Sequence, residues 1–277
     1  MIDKNYIDNL IIEALKEDMP QGDITTDNII DKNSKSRAKL IAKETGIIAG
    51  LGIAERVFKI VDKSIEFNCL ILDGTLVNNK DVIAEISGNT SAMLKAERTA
   101  LNILQHMSGI ATKTHEFTVI VEGLPVKIYD TRKTLPGLRN LEKYAVTVGG
   151  GTNHRFGLSD AVLIKDNHIK AAGSIRNAIA LVKGKVPDTI KIEVETETIE
   201  QVKEALKAKA DIIMLDNMTT EMMSEAVGII EKKALVEASG NVSKETVLNI
   251  AKTGVDIISI GSLTHSAKAF DISMKFI

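Results

Sequence analysis

Near the N-terminus Ile7, Leu10, Ile11, Ala14 and Leu15 recur at helical spacing, which predicts a helix over residues 6–18 with one buried face. Pro20 and Gly22 end it, and Asp23, Thr25, Thr26 and Asp27 read as a polar turn rich in capping types. The period then falls to two. Ala38, Leu40 and Ala42 alternate with Arg37, Lys39, Ile41 and Lys43, as in a half-buried strand. Residues 51–61 read as a helix, and 65–87 as strands broken at Asp73-Gly74 and Asn78-Asn79. A long helical stretch runs from Thr90 toward Val121, with Gly109 as its expected break.

From residue 126 the pattern changes. Short apolar runs (Val126–Tyr129, Ala161–Ile164, Ile190–Val194, Ile212–Leu215, Leu235–Val236, Ile257–Ile260) alternate with amphipathic stretches near 174–183, 198–209, 219–232 and 243–252. Such alternation implies βαβ units and a parallel sheet. So many short units favour a small or incomplete α/β barrel, with an open doubly wound sheet as the alternative. The tail alternates strictly: Phe270, Ile272, Met274 and Phe276 against Asp271, Ser273 and Lys275. That pattern suits a strand with one solvated face, returning to the sheet of the first domain. The expected organisation is an N-terminal α+β domain over 1–110, a barrel over 111–268 and a tail strand over 269–277.

Composition narrows the function. A net charge of −2 and 3% aromatics without Trp exclude a nucleic-acid surface built on basic excess or base stacking. No apolar run approaches the ~20 residues of a membrane span, and the N-terminus is acidic and amphipathic rather than signal-like, so a cytoplasmic protein is expected. The single Cys69 excludes an internal disulfide, and its apolar run Cys69-Leu70-Ile71-Leu72 suggests a buried thiol.

Barrel enzymes carry their chemistry at the C-terminal ends of the strands. Here those ends read Thr131-Arg132-Lys133, Lys165-Asp166-Asn167-His168, Glu195, Asp216-Asn217, Ser239-Gly240-Asn241 and Gly261-Ser262. Arg132, His154, Arg155 and Lys165 would form a cationic pocket, since a guanidinium grips a carboxylate with two hydrogen bonds. His154 alone reads equally well as a core residue. Glu195 and Asp216 are an acidic pair suited to ribose hydroxyls or Mg²⁺. Glu193 is a rival, because period-two geometry points it to the same side as Glu195. The two small-residue ends, each just ahead of an expected helix, suit a phosphate, or are ordinary turns. Arg98 reads as an exposed helix arginine.

The ordered set Asp130-Thr131-Arg132-Lys133-Thr134, Gly149-Gly150-Gly151, Asn153-His154-Arg155, Lys165-Asp166-Asn167-His168, Glu193-Val194-Glu195, Leu215-Asp216-Asn217, Glu237-Ala238-Ser239-Gly240-Asn241 and Gly261-Ser262-Leu263-Thr264-His265 resembles the quinolinate phosphoribosyltransferase family. Gly22-Asp23-Ile24-Thr25-Thr26 and Glu97-Arg98-Thr99-Ala100-Leu101-Asn102 also fit it. The resemblance implies an N-terminal α/β sandwich and a C-terminal open α/β barrel. It implies transfer of phosphoribosyl from phosphoribosyl pyrophosphate to quinolinate with decarboxylation and Mg²⁺. Arg132, His154, Arg155 and Lys165 would bind quinolinate. Thr131 would bind substrate, Lys133, Glu195 and Asp216 would serve the donor and its metal, and Ser239–Asn241 with Gly261, Ser262 and Leu263 the 5′-phosphate. Arg98 would enter the site of the other subunit of a homodimer. Asn241 stands where the family often has Gly, and Asn tolerates the same backbone region. A related pyridine-acid transferase and a non-catalytic binder of phosphorylated metabolites are the alternatives.

Overall fold

The computed structural model describes residues 3–277, and the chain divides into two compact units. The first comprises residues up to His115, Leu135–Gly150 and Thr264–Ile277. It holds helices α1 (Lys4–Asp18), α2 (Ile24–Ile29), α3 (Leu51–Val61), most of α4 (Thr90–Ile120) and α5 (Arg139–Val148). Its strands are β1 (Lys35–Ala42), β2 (Gly46–Ile47), β3 (Glu66–Cys69), β4 (Leu76–Val77), β5 (Val82–Asn89) and the C-terminal β12 (Ile272–Phe276). Four of them make an antiparallel sheet of order β12-β1-β5-β3.

The alternation in β1 sets one face of this sheet: Ala38, Leu40 and Ala42 are each 0% exposed. The tail registers on that strand, with Leu40 opposite Met274 and Ala42 opposite Ile272. Asp73 in the loop before β4 caps α3, accepting from the Gly50 and Leu51 amides at 2.9 and 3.0 Å, and the Tyr144 hydroxyl of α5 donates to it at 2.8 Å. Burial first, then the Asp73 carboxylate, raises the Tyr144 phenol above its ordinary range.

Four expectations are corrected. Residues Ile24–Ile29 are a helical turn rather than a polar turn, because the Asp23 side chain accepts from both Thr25 and Thr26 amides and nucleates it. Helix α4 does not break at Gly109. A side chain there would bring Cβ within 2.0 Å of the Lys268 carbonyl oxygen, so the glycine serves the crossing of the tail. Cys69 is exposed. It ends β3 at the sheet edge, and the apolar run after it lies open, with Leu70 and Leu72 at 47% and 79% exposure. The fourth is the helix expected near 243–252, whose regular part starts at Val247. Helix α5 escaped the pattern altogether, because its buried face includes Glu142 and Lys143, both 0% exposed.

The second unit comprises Glu116–Thr134 and Gly151–Leu263. Its strands are β6 (Lys127–Tyr129), β7 (Val162–Ile164), β8 (Ile192–Thr196), β9 (Ile212–Asp216), β10 (Leu235–Ser239) and β11 (Ile257–Ser259). Its helices are α6 (Asp166–Ala172), α7 (Ile175–Lys183), α8 (Ile199–Lys207), α9 (Thr220–Ile230), α10 (Val247–Lys252) and the start of α11 (Ser262–His265). Capping starts three of the helices: Ser174, Thr198 and Thr219 accept from the amides of Asn177, Gln201 and Met222.

All six strands are parallel, in the order β6-β11-β10-β9-β8-β7. The first strand therefore pairs with the last, which is the order of a sheet rolled into a barrel and not of a doubly wound one. Outward residues Val194, Ile213, Leu215, Ala238 and Ile258 are each 0% exposed. Removing residues 269–277 strips β12 from β1 and exposes Leu40. The truncated protein is expected to lose melting temperature in the first unit, measured by calorimetry or by hydrogen exchange at residues 35–42.

Candidate active site

The inward residues of the barrel strands alternate with that apolar outer set. Leu163 and Lys165 on β7 and the turn after it, Glu195 on β8, Met214 and Asp216 on β9, Glu237 and Ser239 on β10 and Ser259 on β11 line one cavity of about 540 Å³. Thr131, Arg132 and Lys133 join them from the end of β6, and His154, Arg155, Asn217, Gly240 and Asn241 from the loops. The cavity thus gathers most of the residues singled out from the sequence. Gly261, Ser262 and Leu263 are not among its lining; the Leu263 side chain is fully buried, and Ser262 begins the short α11. Arg98 is exposed on α4, in the first unit.

The loop that carries His154 is tied to β6 from two sides. Thr152 bridges to Tyr129, with the Thr152 amide donating to the Ile128 carbonyl at 2.8 Å and the Asp130 amide to the Thr152 carbonyl at 3.1 Å. The Asp130 carboxylate, 0% exposed, accepts the His154 amide at 2.8 Å. This fixes the next residue, Arg155, whose Nη1 donates to the Ala161 carbonyl at 3.0 Å. Burial first, then the like charge of Arg132, pulls the Arg155 guanidinium below its ordinary range. Arg132 Nε is buried without a hydrogen-bond partner. Two guanidiniums close enough to disfavour each other, one with an unmet donor, are cations prepared for an anion.

Glu193 and Glu195 both face inward, as period two requires, but they differ in partners. Glu195 Oε2 pairs with Lys165 Nζ at 2.5 Å. Because Lys165 is half exposed, the pair adds little to stability. Glu193 lies deeper, 2% exposed, and its Oε2 is 3.1 Å from His154 Nε2; Glu237, 0% exposed, approaches the same nitrogen at 3.4 Å. Burial disfavours a charged His154 ring, whereas the hydrogen bond to Glu193 and the charges of Glu193 and Glu237 favour a proton on Nε2. Burial likewise raises Glu193 above the ordinary carboxylate range, with His154 opposing. These three donor atoms lie within 4.8 Å of one another.

Asp216 is steadied by its neighbour. Asn217 adopts φ +53°, donates through Nδ2 to Asp216 Oδ2 at 2.9 Å, and accepts on Oδ1 from Asn241 Nδ2 at 3.1 Å. Gly240 stands at φ +96°, where a Cβ would lie 2.2 Å from Asn217 Oδ1. Asn241, at φ +49°, fits the left-handed region without strain specific to its side chain. Helix α10 begins at Val247 and does not follow this loop directly. His168 caps α6, its Nδ1 accepting the Lys165 amide at 3.0 Å.

Sequence reasoning passed over Glu237, Ser259 and Asn217 as site residues. The signal for the first two was the same two-residue spacing that linked Glu193 with Glu195: Glu237 precedes Ser239, and Ser259 precedes Gly261 by the same interval. Asn217 gave no signal beyond following a strand-end acid.

Known proteins resemble this chain over nearly its whole length. The family models of the quinolinate phosphoribosyl transferase N-terminal and C-terminal domains match residues 23–108 and 110–275. A probable nicotinate-nucleotide pyrophosphorylase (carboxylating) of Synechocystis is 43% identical over 98% of this chain and 92% of its own length. A mitochondrial quinolinate phosphoribosyltransferase (decarboxylating) of Nicotiana tabacum is 45% identical over 95% of this chain and 80% of its own. The solved structure of NadC from Streptococcus pyogenes superposes with a TM-score of 0.96 at 42% identity, over 100% of this chain and 99% of that one. The chain belongs to the quinolinate phosphoribosyltransferase family.

Gly240→Ala places a methyl group against Asn217 at a left-handed backbone position and should displace the Asp216 carboxylate. The expected cost is about 1–3 kcal/mol of stability, read by denaturant titration, with the Asn217–Asn241 contact broken in a crystal structure of the variant.

Proposed function

We propose that this protein transfers the phosphoribosyl group of phosphoribosyl pyrophosphate to quinolinate, releasing pyrophosphate and CO₂ and yielding nicotinate mononucleotide for NAD biosynthesis. The observation that carries the reading is the pair Arg132 and Arg155 at the rim of the acid-lined barrel cavity, with an unmet buried donor on Arg132. Quinolinate is a dianion and its partner a polyanion, and their mutual repulsion in one cavity has to be offset by fixed cations. Arg132 and Arg155 take the two carboxylates, with His154 and Lys165 beside them. Once so held, the ring nitrogen is oriented toward the anomeric carbon of the donor. Lys133 and the loop at Ser239–Asn241 hold the phosphates.

Glu195 and Asp216 present hard oxygen donors from neighbouring strand ends to the same cavity, a set that suits Mg²⁺. There they would hold the ion against the donor, where it supplies charge neutralisation for the departing pyrophosphate. Nitrogen attack breaks the bond from the anomeric carbon to pyrophosphate. The pyridinium so formed accepts the electron pair of the bond to the adjacent carboxylate as CO₂ leaves, and a proton then takes the vacated ring position. No side-chain nucleophile is required.

The reading extends to a cytoplasmic homodimer in which Arg98 of one subunit completes the cavity of the other. Its exposure on α4 supports this, as does its presence in a motif shared with the family. Among the described residues no helix is long and apolar enough to cross a membrane. Neither a nicotinate-specific transferase nor a non-catalytic binder is favoured, given the decarboxylating names of the relatives and the paired guanidiniums.

Two outcomes test the assignment. Arg132→Ala and Arg155→Ala should each raise the quinolinate KM by the equivalent of about 2–4 kcal/mol while sparing that for phosphoribosyl pyrophosphate. A wild-type KM in either variant removes the pocket. Arg98→Ala should be inactive alone yet regain part of its activity when mixed with inactive Lys133→Ala, since one hybrid site then carries both residues; steady-state rates of the mixture check this.

A further inference from the structure

Beneath the cations of the rim lie two carboxylates that stability alone does not account for. Glu193 and Glu237 are 2% and 0% exposed, and Glu193 Oε1 and both oxygens of Glu237 lack hydrogen bonds. Burying a carboxylate with unmet acceptors costs stability unless some partner compensates. Both side chains turn toward one atom, Nε2 of His154, at 3.1 and 3.4 Å. The other ring nitrogen, Nδ1, accepts the main-chain amide of Arg155 at 2.8 Å. The Tyr129 ring stands edge-on to the imidazole, with centroids 6.2 Å apart and an interplanar angle of 83°. His154 is therefore gripped from below by two acids and in turn orders the backbone of Arg155.

From this geometry we infer that Glu193 and Glu237 are positioning residues acting through His154, fixing the ring and, through its Nδ1, the guanidinium of Arg155 that receives the acid substrate. The inference rests on the quinolinate reading of the cavity for its kinetic consequence, but not for its structural one. It separates the two acids of β8 by role. Glu195 serves at the rim, where Lys165 meets it. Glu193 serves one layer down, where no substrate needs to reach. The distance of 3.1 Å is that of an N–H···O hydrogen bond, which favours a bonded trio over a metal centre built from the same three side chains.

The test uses Glu193→Gln, Glu237→Gln and the double variant, each also in a His154→Ala background. Glutamine keeps the shape and removes the buried charge. The double variant should fold with an unchanged or higher melting temperature, keep the KM for phosphoribosyl pyrophosphate within about threefold, and raise the quinolinate KM about 10- to 100-fold, the scale of a misplaced binding group. In the His154→Ala background the same substitutions should add less than about threefold, because residues acting as one unit are not additive. An equal further loss in that background overturns the inference, as does an unchanged quinolinate KM in the double variant.

A second measurement does not depend on turnover. The ring-nitrogen NMR signal of His154 in the ligand-free full chain, identified by its loss in His154→Ala, should shift in either single Gln variant. A His154 signal indifferent to both substitutions overturns the proposal even if the enzyme is active. A shifted signal in a protein that does not turn over quinolinate supports the trio and rejects the substrate reading. Stoichiometric zinc found by elemental analysis in the wild type and lost in the double variant also overturns it.

Discussion

A strand in a parallel barrel has two faces with opposite needs, and the rest of this molecule follows from how the chain meets both at once. The outward face lies under helices and tolerates only apolar atoms, so Val194, Ile213, Leu215, Ala238 and Ile258 vanish from solvent. The inward face narrows to a cavity, and there the chain spends its charge. Because side chains alternate strictly, a single register carries an apolar seal and a polar rim on the same few residues. A slip of one residue on β8 would drive Glu193 and Glu195 under the helices and turn Val194 toward the cavity, so fold and site are specified together.

That coupling explains what could be read in the sequence. The strands announced themselves as apolar runs and their ends as the residues just beyond, which was enough to place Arg132, Lys165, Glu195, Asp216 and Ser239 around one space. The tail strand was legible for the same reason, since Ile272 and Met274 alternate with Ser273 and Lys275. Tertiary causes stayed hidden. Gly109 looks like a helix breaker until the Lys268 carbonyl is found where its side chain would be. Cys69 looks buried because its neighbours are apolar, yet those neighbours sit on an open edge. Helix α5 hides two charged residues in its packed face, defeating any count of apolar positions. Glu237 sits in a run that reads as plain strand, and only its approach to His154 makes it matter.

The electrostatics of the cavity are layered. At the rim stand Arg132, Arg155 and Lys165, partly exposed and partly opposed to one another. One step inward His154 is surrounded by acids. In a low-dielectric interior such groups interact far more strongly than in water, so the depth of each matters as much as its sign. A floor of carboxylates beneath a rim of guanidiniums keeps the ligand-free cavity from being a bare cluster of like charges, while Arg132 Nε keeps an unmet donor.

The first unit is assembled from three separate stretches of chain, and the last of them includes the final strand. A ribosome delivers those stretches in order. The second unit's strands are all synthesised before β12 appears, whereas β1, made early, waits with one edge bare until β12 has been made. The nascent protein therefore passes through a period in which the barrel can form and the sheet cannot be completed. Emergence of β12, after every strand of the second unit, is the event that completes this sheet.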